Sequence, residues 1–146
     1  MTGIFVLNGP NLNFLGRRDS NTYGKRGIKA LNEILLQESG NLMIEPVIRQ
    51  TNSESEAIDF IQENYSCAGG IVNLGAWTHY SYALRDALED FNKPFIEVHI
   101  SNIMAREEFR RKSVISDIAS GIICGFGLFS YVLALKAIAD ILNIRE

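Results

Sequence analysis

The apolar positions of this chain change period repeatedly. Ile4-Phe5-Val6-Leu7 is a short continuous apolar run that breaks at Gly9-Pro10, which predicts a strand from Ile4 to Asn8. Ile28, Leu31, Ile34 and Leu35 recur at helical spacing until Gly40-Asn41 stops them. Met43 to Ile48 reads as a second strand. Ser53-Glu54-Ser55-Glu56 is a capping box, in which serine and glutamate satisfy each other's orphan amides. It opens a helix with a buried stripe of Ala57, Ile58, Ile61 and Tyr65. Gly69 to Asn73 is a third strand. Leu84, Ala87, Leu88 and Phe91 then follow i, i+3, i+4, i+7 until Asn92-Lys93-Pro94 ends the helix. Pro94 to Ile100 and Gly121 to Gly125 are strands four and five, and Leu128 to Leu142 is a long closing helix.

Strands alternating with helices imply an α/β domain with a parallel sheet, helices on both faces and right-handed crossovers. Strands buried on both faces read as continuous apolar runs, as Gly69-Gly70-Ile71-Val72 does. Five strands suggest the flavodoxin-like order 2-1-3-4-5. No repeat, low-complexity tract or linker interrupts the pattern, so residues 1–146 are expected to form one domain. Ligands of such sheets bind beyond the carboxyl ends of the strands, where the order reverses between strands 1 and 3. The segments there are Asn8 to Asn13, Asn73 to His79 and His99 to Asn102, all rich in amides, hydroxyls and imidazole.

One stretch stands apart. LNGPNLNFLGRRDSNTYG, from Leu7 to Gly24, runs about fifteen residues beyond its strand before helical spacing resumes, which is long for such a connection. Leu12, Phe14 and Leu15 give it something to bury. Four asparagines, two adjacent arginines and a tyrosine make it an expected active-site loop, with a mobile outer half around Arg17 to Thr22.

Composition narrows the chemistry. With 146 residues, 47% hydrophobic and 21% charged, the chain is long enough for a core and is not disordered. A net charge of −3 argues against nucleic-acid or anionic-membrane partners, while the local clusters Arg17-Arg18, Arg106 and Arg110-Arg111 suit a small anion. Cys67 and Cys124 have no metal or redox spacing, so both are expected as buried free thiols. The N-terminus lacks a basic region before an apolar run, so no signal peptide is expected and the cytoplasm is the expected location.

Both histidines, His79 and His99, fall at the predicted strand ends. Glu97 lies two residues before His99, on the same strand face, where a carboxylate can hold one imidazole nitrogen and favour the charged ring; it also suits capping a loop. Tyr23 is a phenol about one part in a thousand ionised at neutral pH, and a nearby guanidinium such as Arg18 would favour the phenolate. From spacing alone, Arg17-Arg18 reads equally as a solvated pair. Arg106 and Arg110 are spaced i, i+4 on one face of an expected helical turn, where Glu107 and Glu108 are alternative partners. Ile100 and Ser101 offer backbone amides and a hydroxyl to a carboxylate. Asn8, Asn11 and Asn73 also fit as turn formers.

Four colinear segments, LNGPNLNFLGRRDSNTYG, NLGAWTHYSYALRDAL, EVHISN and REEFRRKSVISDIASGIICGFG, together resemble the type II 3-dehydroquinate dehydratases (type II dehydroquinases) over nearly the whole chain. The resemblance implies a cofactor-free, metal-free anti elimination of water from 3-dehydroquinate, giving 3-dehydroshikimate, in a homododecamer built as a tetramer of trimers. It implies Tyr23 as the base, Arg18 as the lid arginine that keeps it ionised, His99 as the general acid and Glu97 as its orienting carboxylate. Asn11 would position a water at the enolate oxygen. Asn73, His79 and Arg110 would contact substrate hydroxyls, Ile100 and Ser101 the carboxylate, and Asp86 would reach a neighbouring subunit's site. Arg18-Asp19-Ser20 stands where the family usually has R-E-P, Leu74 where proline or alanine is commoner, and Trp77 where tyrosine is usual. A non-catalytic flavodoxin-like binding module, or the same reaction in quinate breakdown, are the alternative readings.

Overall fold

The computed structural model describes residues 1–17 and 27–144. Five strands form one parallel sheet: β1 (Thr2–Asn8), β2 (Ile44–Gln50), β3 (Gly69–Asn73), β4 (Phe95–His99) and β5 (Gly121–Cys124). Their order is β2-β1-β3-β4-β5, as the alternation predicted. The helices between them are α1 (Ile28–Asn41), α2 (Glu54–Glu63), α3 (Tyr82–Phe91) and α4 (Phe129–Ile141).

Period-two alternation divides the core. Ile4, Val6, Ile71, Ile96 and Val98 face one way and pack with Leu31 and Leu35 of α1 and Tyr131, Leu135 and Ile138 of α4. Phe5, Leu7, Val72 and Phe95 face the other way, onto Ala57, Phe60 and Ile61 of α2 and Leu84, Leu88 and Phe91 of α3. Each such fully buried side chain contributes roughly 1.5–3 kcal/mol. Phe5 meets Phe60 and Phe91 edge-on, with ring centroids 5.9 and 5.0 Å apart. The strand β5, at the sheet edge, is only partly covered, and Ile122 is exposed there.

Local signals set most boundaries. Ser81 caps α3 by accepting the Leu84 amide at 3.1 Å, and Asn92 ends the helix with a left-handed φ of 52°. Several sequence expectations need correction. Ser53 accepts the Glu56 amide at 3.3 Å, but the Glu56 carboxylate accepts from the Thr51 hydroxyl at 2.6 Å, so the reciprocal half of the capping box is missing. Thr51 supplies it instead, accepting the Ser53 amide at 3.0 Å. Phe60, not Tyr65, completes the buried face of α2, because that helix ends before Tyr65. Phe14 is exposed while Leu12 and Leu15 are buried. Cys67 is a buried free thiol as expected, but Cys124 at the edge strand is only half-buried. Among the described residues no helix is long and apolar enough to cross a membrane.

Candidate active site

A cleft opens at the carboxyl ends of β1, β3 and β4. Pro10, Asn11, Leu12, Asn73, Gly75, Ala76, His79, His99, Ile100, Ser101, Ile103, Arg106 and Arg110 line it. The topological rule therefore located it from strand order alone.

Its floor depends on two backbone crossings. Asn8 and Asn73 are paired in register at the ends of β1 and β3, and the Gly9 amide donates to the Asn73 carbonyl at 2.8 Å. A Cβ on Gly9 would lie 2.5 Å from the Leu74 carbonyl oxygen, so only glycine fits. Gly75 adopts a φ of 57°, and a Cβ there would lie 3.2 Å from the Pro10 carbonyl oxygen. The exits of the two strands are thus pressed together. Asn11 also has a left-handed φ, 69°, and starts a 3-10 turn, Leu12–Phe14. Its amide donates to Asn52 Oδ1 at 2.9 Å, and Gln50 Nε2 donates to the Gly9 carbonyl at 3.0 Å. Gln50 and Asn52, which no sequence motif marked, brace this rim from the end of β2.

The Asn73 amide is held on two sides. Its Oδ1 accepts the Gly75 amide at 3.1 Å, and its Nδ2 donates to the Tyr131 hydroxyl at 2.8 Å. Tyr131 in turn donates to Asn8 Oδ1 at 2.6 Å.

On the opposite wall Glu97 and His99 are both buried on β4, and His99 Nε2 donates to Glu97 Oε2 at 2.5 Å. The same carboxylate accepts from Ser116 Oγ at 2.5 Å, Ser113 Oγ at 3.0 Å and Thr78 Oγ1 at 3.4 Å. The direction of the Ser113 bond is fixed, since its oxygen accepts the amides of Ile115 and Ser116, both at 3.2 Å. Burial pushes the Glu97 carboxyl up, but the hydrogen bond and charge of His99, with the bonds from Ser116 and Ser113, outweigh it and hold the group below the usual glutamate range. With Nε2 occupied by a carboxylate, Nδ1 is the His99 ring nitrogen left for a ligand. Glu97 thus serves both expected ends, holding the His99 imidazole with one oxygen and tying down the loop of Ser113 and Ser116 with the other.

His79 sits at the end of the 3-10 helix Gly75–His79. Its Nδ1 donates to the Lys112 carbonyl at 2.7 Å, which leaves Nε2 as the free position. The expected helical turn carrying Arg106 and Arg110 is instead two short 3-10 helices, Ile103–Ala105 and Glu108–Arg111, with Arg106 extended between them. Both arginines still line the cleft. Arg110 Nε donates to Glu107 Oε2 at 2.5 Å, engaging that nitrogen rather than the terminal ones. Two guanidinium groups and two imidazoles on one cleft favour an anionic ligand.

The structure thus brings Asn11, Asn73, His79, His99, Ile100, Ser101 and Arg110 together, with Glu97 directly behind His99. Asp86 is exposed on α3 and does not line the cleft. Arg18 and Tyr23 lie outside the described residues, as does most of the expected mobile half-loop. Sequence reasoning missed Thr78, Ser113, Ser116 and Tyr131, and did not place Arg106 among the site residues. The Ser113-x-x-Ser116 spacing was a faint signal for two of them. Among the described residues no group of three or more His, Cys, Asp or Glu side chains is placed to hold a metal ion.

Comparison with known proteins agrees with the geometry. The family model for class II dehydroquinase matches residues 2–139. A 3-dehydroquinate dehydratase of Dictyoglomus turgidum is 55% identical over 94% of this chain and 96% of its own length. One from Halothermothrix orenii is 48% identical over 98% of this chain and 97% of its own. The crystal structure of a type II dehydroquinase from Butyrivibrio crossotus superposes with a TM-score of 0.91 at 45% identity, covering 97% of both chains. That from Propionibacterium acnes gives 0.92 at 42% identity, covering 96% of this chain and 97% of its own. With the cleft where the strand order reverses and this likeness over nearly the full length, the chain belongs to the class II dehydroquinase family.

Proposed function

We propose that the chain is a hydro-lyase that removes water from 3-dehydroquinate to give 3-dehydroshikimate, in the shikimate route to aromatic amino acids. The elimination is anti and passes through an enolate. Tyr23, as a phenolate stabilised by Arg18, takes the proton alpha to the ketone, and the electron pair moves onto the carbonyl oxygen. A water held by Asn11 stabilises that oxygen. Collapse of the enolate forms the ring double bond and breaks the carbon–oxygen bond of the β-hydroxyl. His99 supplies the proton with which that hydroxyl leaves as water.

The observation that carries this reading is the dyad of His99 and Glu97. A buried carboxylate occupies Nε2, which leaves Nδ1 as the ring position that meets a leaving group. Around it, Asn73, His79, Arg110, Ile100 and Ser101 line the same cleft; the first three are assigned to substrate hydroxyls, and Ile100 and Ser101 to the carboxylate. Arg106 adds a second guanidinium to the same anion. The proposal extends to a homododecamer, a tetramer of trimers, in which Asp86 reaches the site of an adjacent subunit, and to action in the cytoplasm.

The test is direct. The purified protein is mixed with 3-dehydroquinate and the conjugated enone of the product is followed by ultraviolet absorbance. Absorbance should rise without added cofactor, and Tyr23→Phe should abolish the rise while far-UV circular dichroism stays unchanged. No rise with the wild-type chain sinks the proposal. Light scattering settles the assembly.

A further inference from the structure

Behind the cleft wall, a chain of hydrogen bonds runs in one direction. The Gly75 amide donates to Asn73 Oδ1, Asn73 Nδ2 donates to the Tyr131 hydroxyl, and Tyr131 donates to Asn8 Oδ1. The polarity follows from the first link. A backbone amide can only donate, so it commits Oδ1 of Asn73 as acceptor and turns Nδ2 toward Tyr131. The Tyr131 oxygen accepts there, and its single proton has one remaining destination, Asn8. Reversing Asn73 would place its NH2 group against the Gly75 N–H, donor against donor.

We infer that Tyr131 is a positioning residue of this site: the Gly75 N–H sets which way round the Asn73 amide lies, and the Tyr131 hydroxyl pins its Nδ2 end, and so holds the remaining N–H of Asn73 toward a substrate hydroxyl. The inference rests on the function proposed above and goes beyond it, since it gives a task to a side chain outside the cleft lining. Asn73 lines the cleft, while Tyr131 is fully buried on α4, 58 residues away in sequence. The chain leaves one N–H of Nδ2 uncommitted, and that N–H is the donor assigned here to the substrate hydroxyl. Burial pushes the Tyr131 hydroxyl above the ordinary phenol range, with the Asn73 bond acting weakly the other way. The phenol therefore keeps its proton, and the polarity does not change with pH.

Packing does not account for the arrangement. Asn8 is fully buried and its Nδ2 has no hydrogen-bond partner among the described residues. Such an orphaned buried donor is destabilising. Apolar side chains in place of Asn8 and Tyr131 would leave no such orphan, but they would leave the Nδ2 end of Asn73 without its anchor.

A double-mutant cycle on the assembled enzyme tests this, with steady-state kinetics on 3-dehydroquinate. Tyr131→Phe keeps the ring and deletes the oxygen. It should lower kcat/KM on the order of tenfold, the scale of one mis-set hydrogen bond, and act mainly through KM. In an Asn73→Ala background the same change should alter kcat/KM by less than about twofold, because the group it positions is gone. Equal losses in both backgrounds, or none in either, overturn the inference while the proposed function stands. Should Tyr131→Phe fail to fold, Asn8→Ala breaks the same chain from the other end and must show the same non-additivity. A wild-type chain without turnover overturns both readings together.

Discussion

His99 and Glu97 stand two residues apart on β4 and meet at 2.5 Å, with hydroxyls from three other residues closing on the same carboxylate. One strand face thus carries both the imidazole and the group that selects its tautomer. Glu97→Gln replaces the carboxylate with a neutral amide of the same shape. It should reduce kcat on the order of a hundredfold or more, within the range attributed to a positioned acid, and leave KM within a few fold. Stopped-flow or steady-state absorbance of the enone measures it. Unchanged kcat would remove Glu97 from the mechanism.

The same carboxylate gives the fold a pH dependence with a definite sign. Its pKa in the folded chain lies below the ordinary value of 4.5. The stability it contributes is therefore present in full above that value and is lost as pH falls through the lower folded one. Urea unfolding between about pH 3 and 6 should show a steeper decline for the wild type than for Glu97→Gln. Ser116→Ala removes a donor to the charged form, so it should raise the folded pKa and shrink this pH-dependent gain.

Arg106, read from sequence as part of an arginine cluster suited to a small anion but given no role at the site, lines the cleft beside Arg110. Arg106→Ala should raise KM by roughly tenfold to a hundredfold, the value of a charge-assisted hydrogen bond to an anion. Its effect on kcat should be small. Competition by small carboxylates should weaken in parallel. A lower kcat at unchanged KM would mean that Arg106 acts only in the transition state.

Gly9→Ala introduces a methyl group 2.5 Å from a backbone oxygen that cannot move without shifting the end of β3. Overpacking of this kind costs about 1–3 kcal/mol. Chemical denaturation should show that loss, and turnover should fall as well, because Asn11 and Asn73 are carried by the two segments forced apart. A variant with wild-type stability and rate would show that this crossing is loose.

What the sequence determined by itself was mostly local or periodic. Alternating periods prescribed the strands, helices and both core faces, and the ends of β1, β3 and β4 marked the cleft. The i, i+2 spacing of Glu97 and His99 put them on one face. Local signals failed where an equivalent partner stood nearby, as when Thr51 displaced the Ser53 amide at Glu56, and where an element ended sooner than its pattern, as α2 does before Tyr65. Tertiary structure alone decided which groups complete the site. Ser113 and Ser116 reach Glu97 across 16 and 19 residues, and Tyr131 reaches Asn8 across 123. No period or motif encodes such meetings. They follow from strand order and helix crossovers, which bring distant hydroxyls to buried carboxylates and amides that need partners once water is excluded.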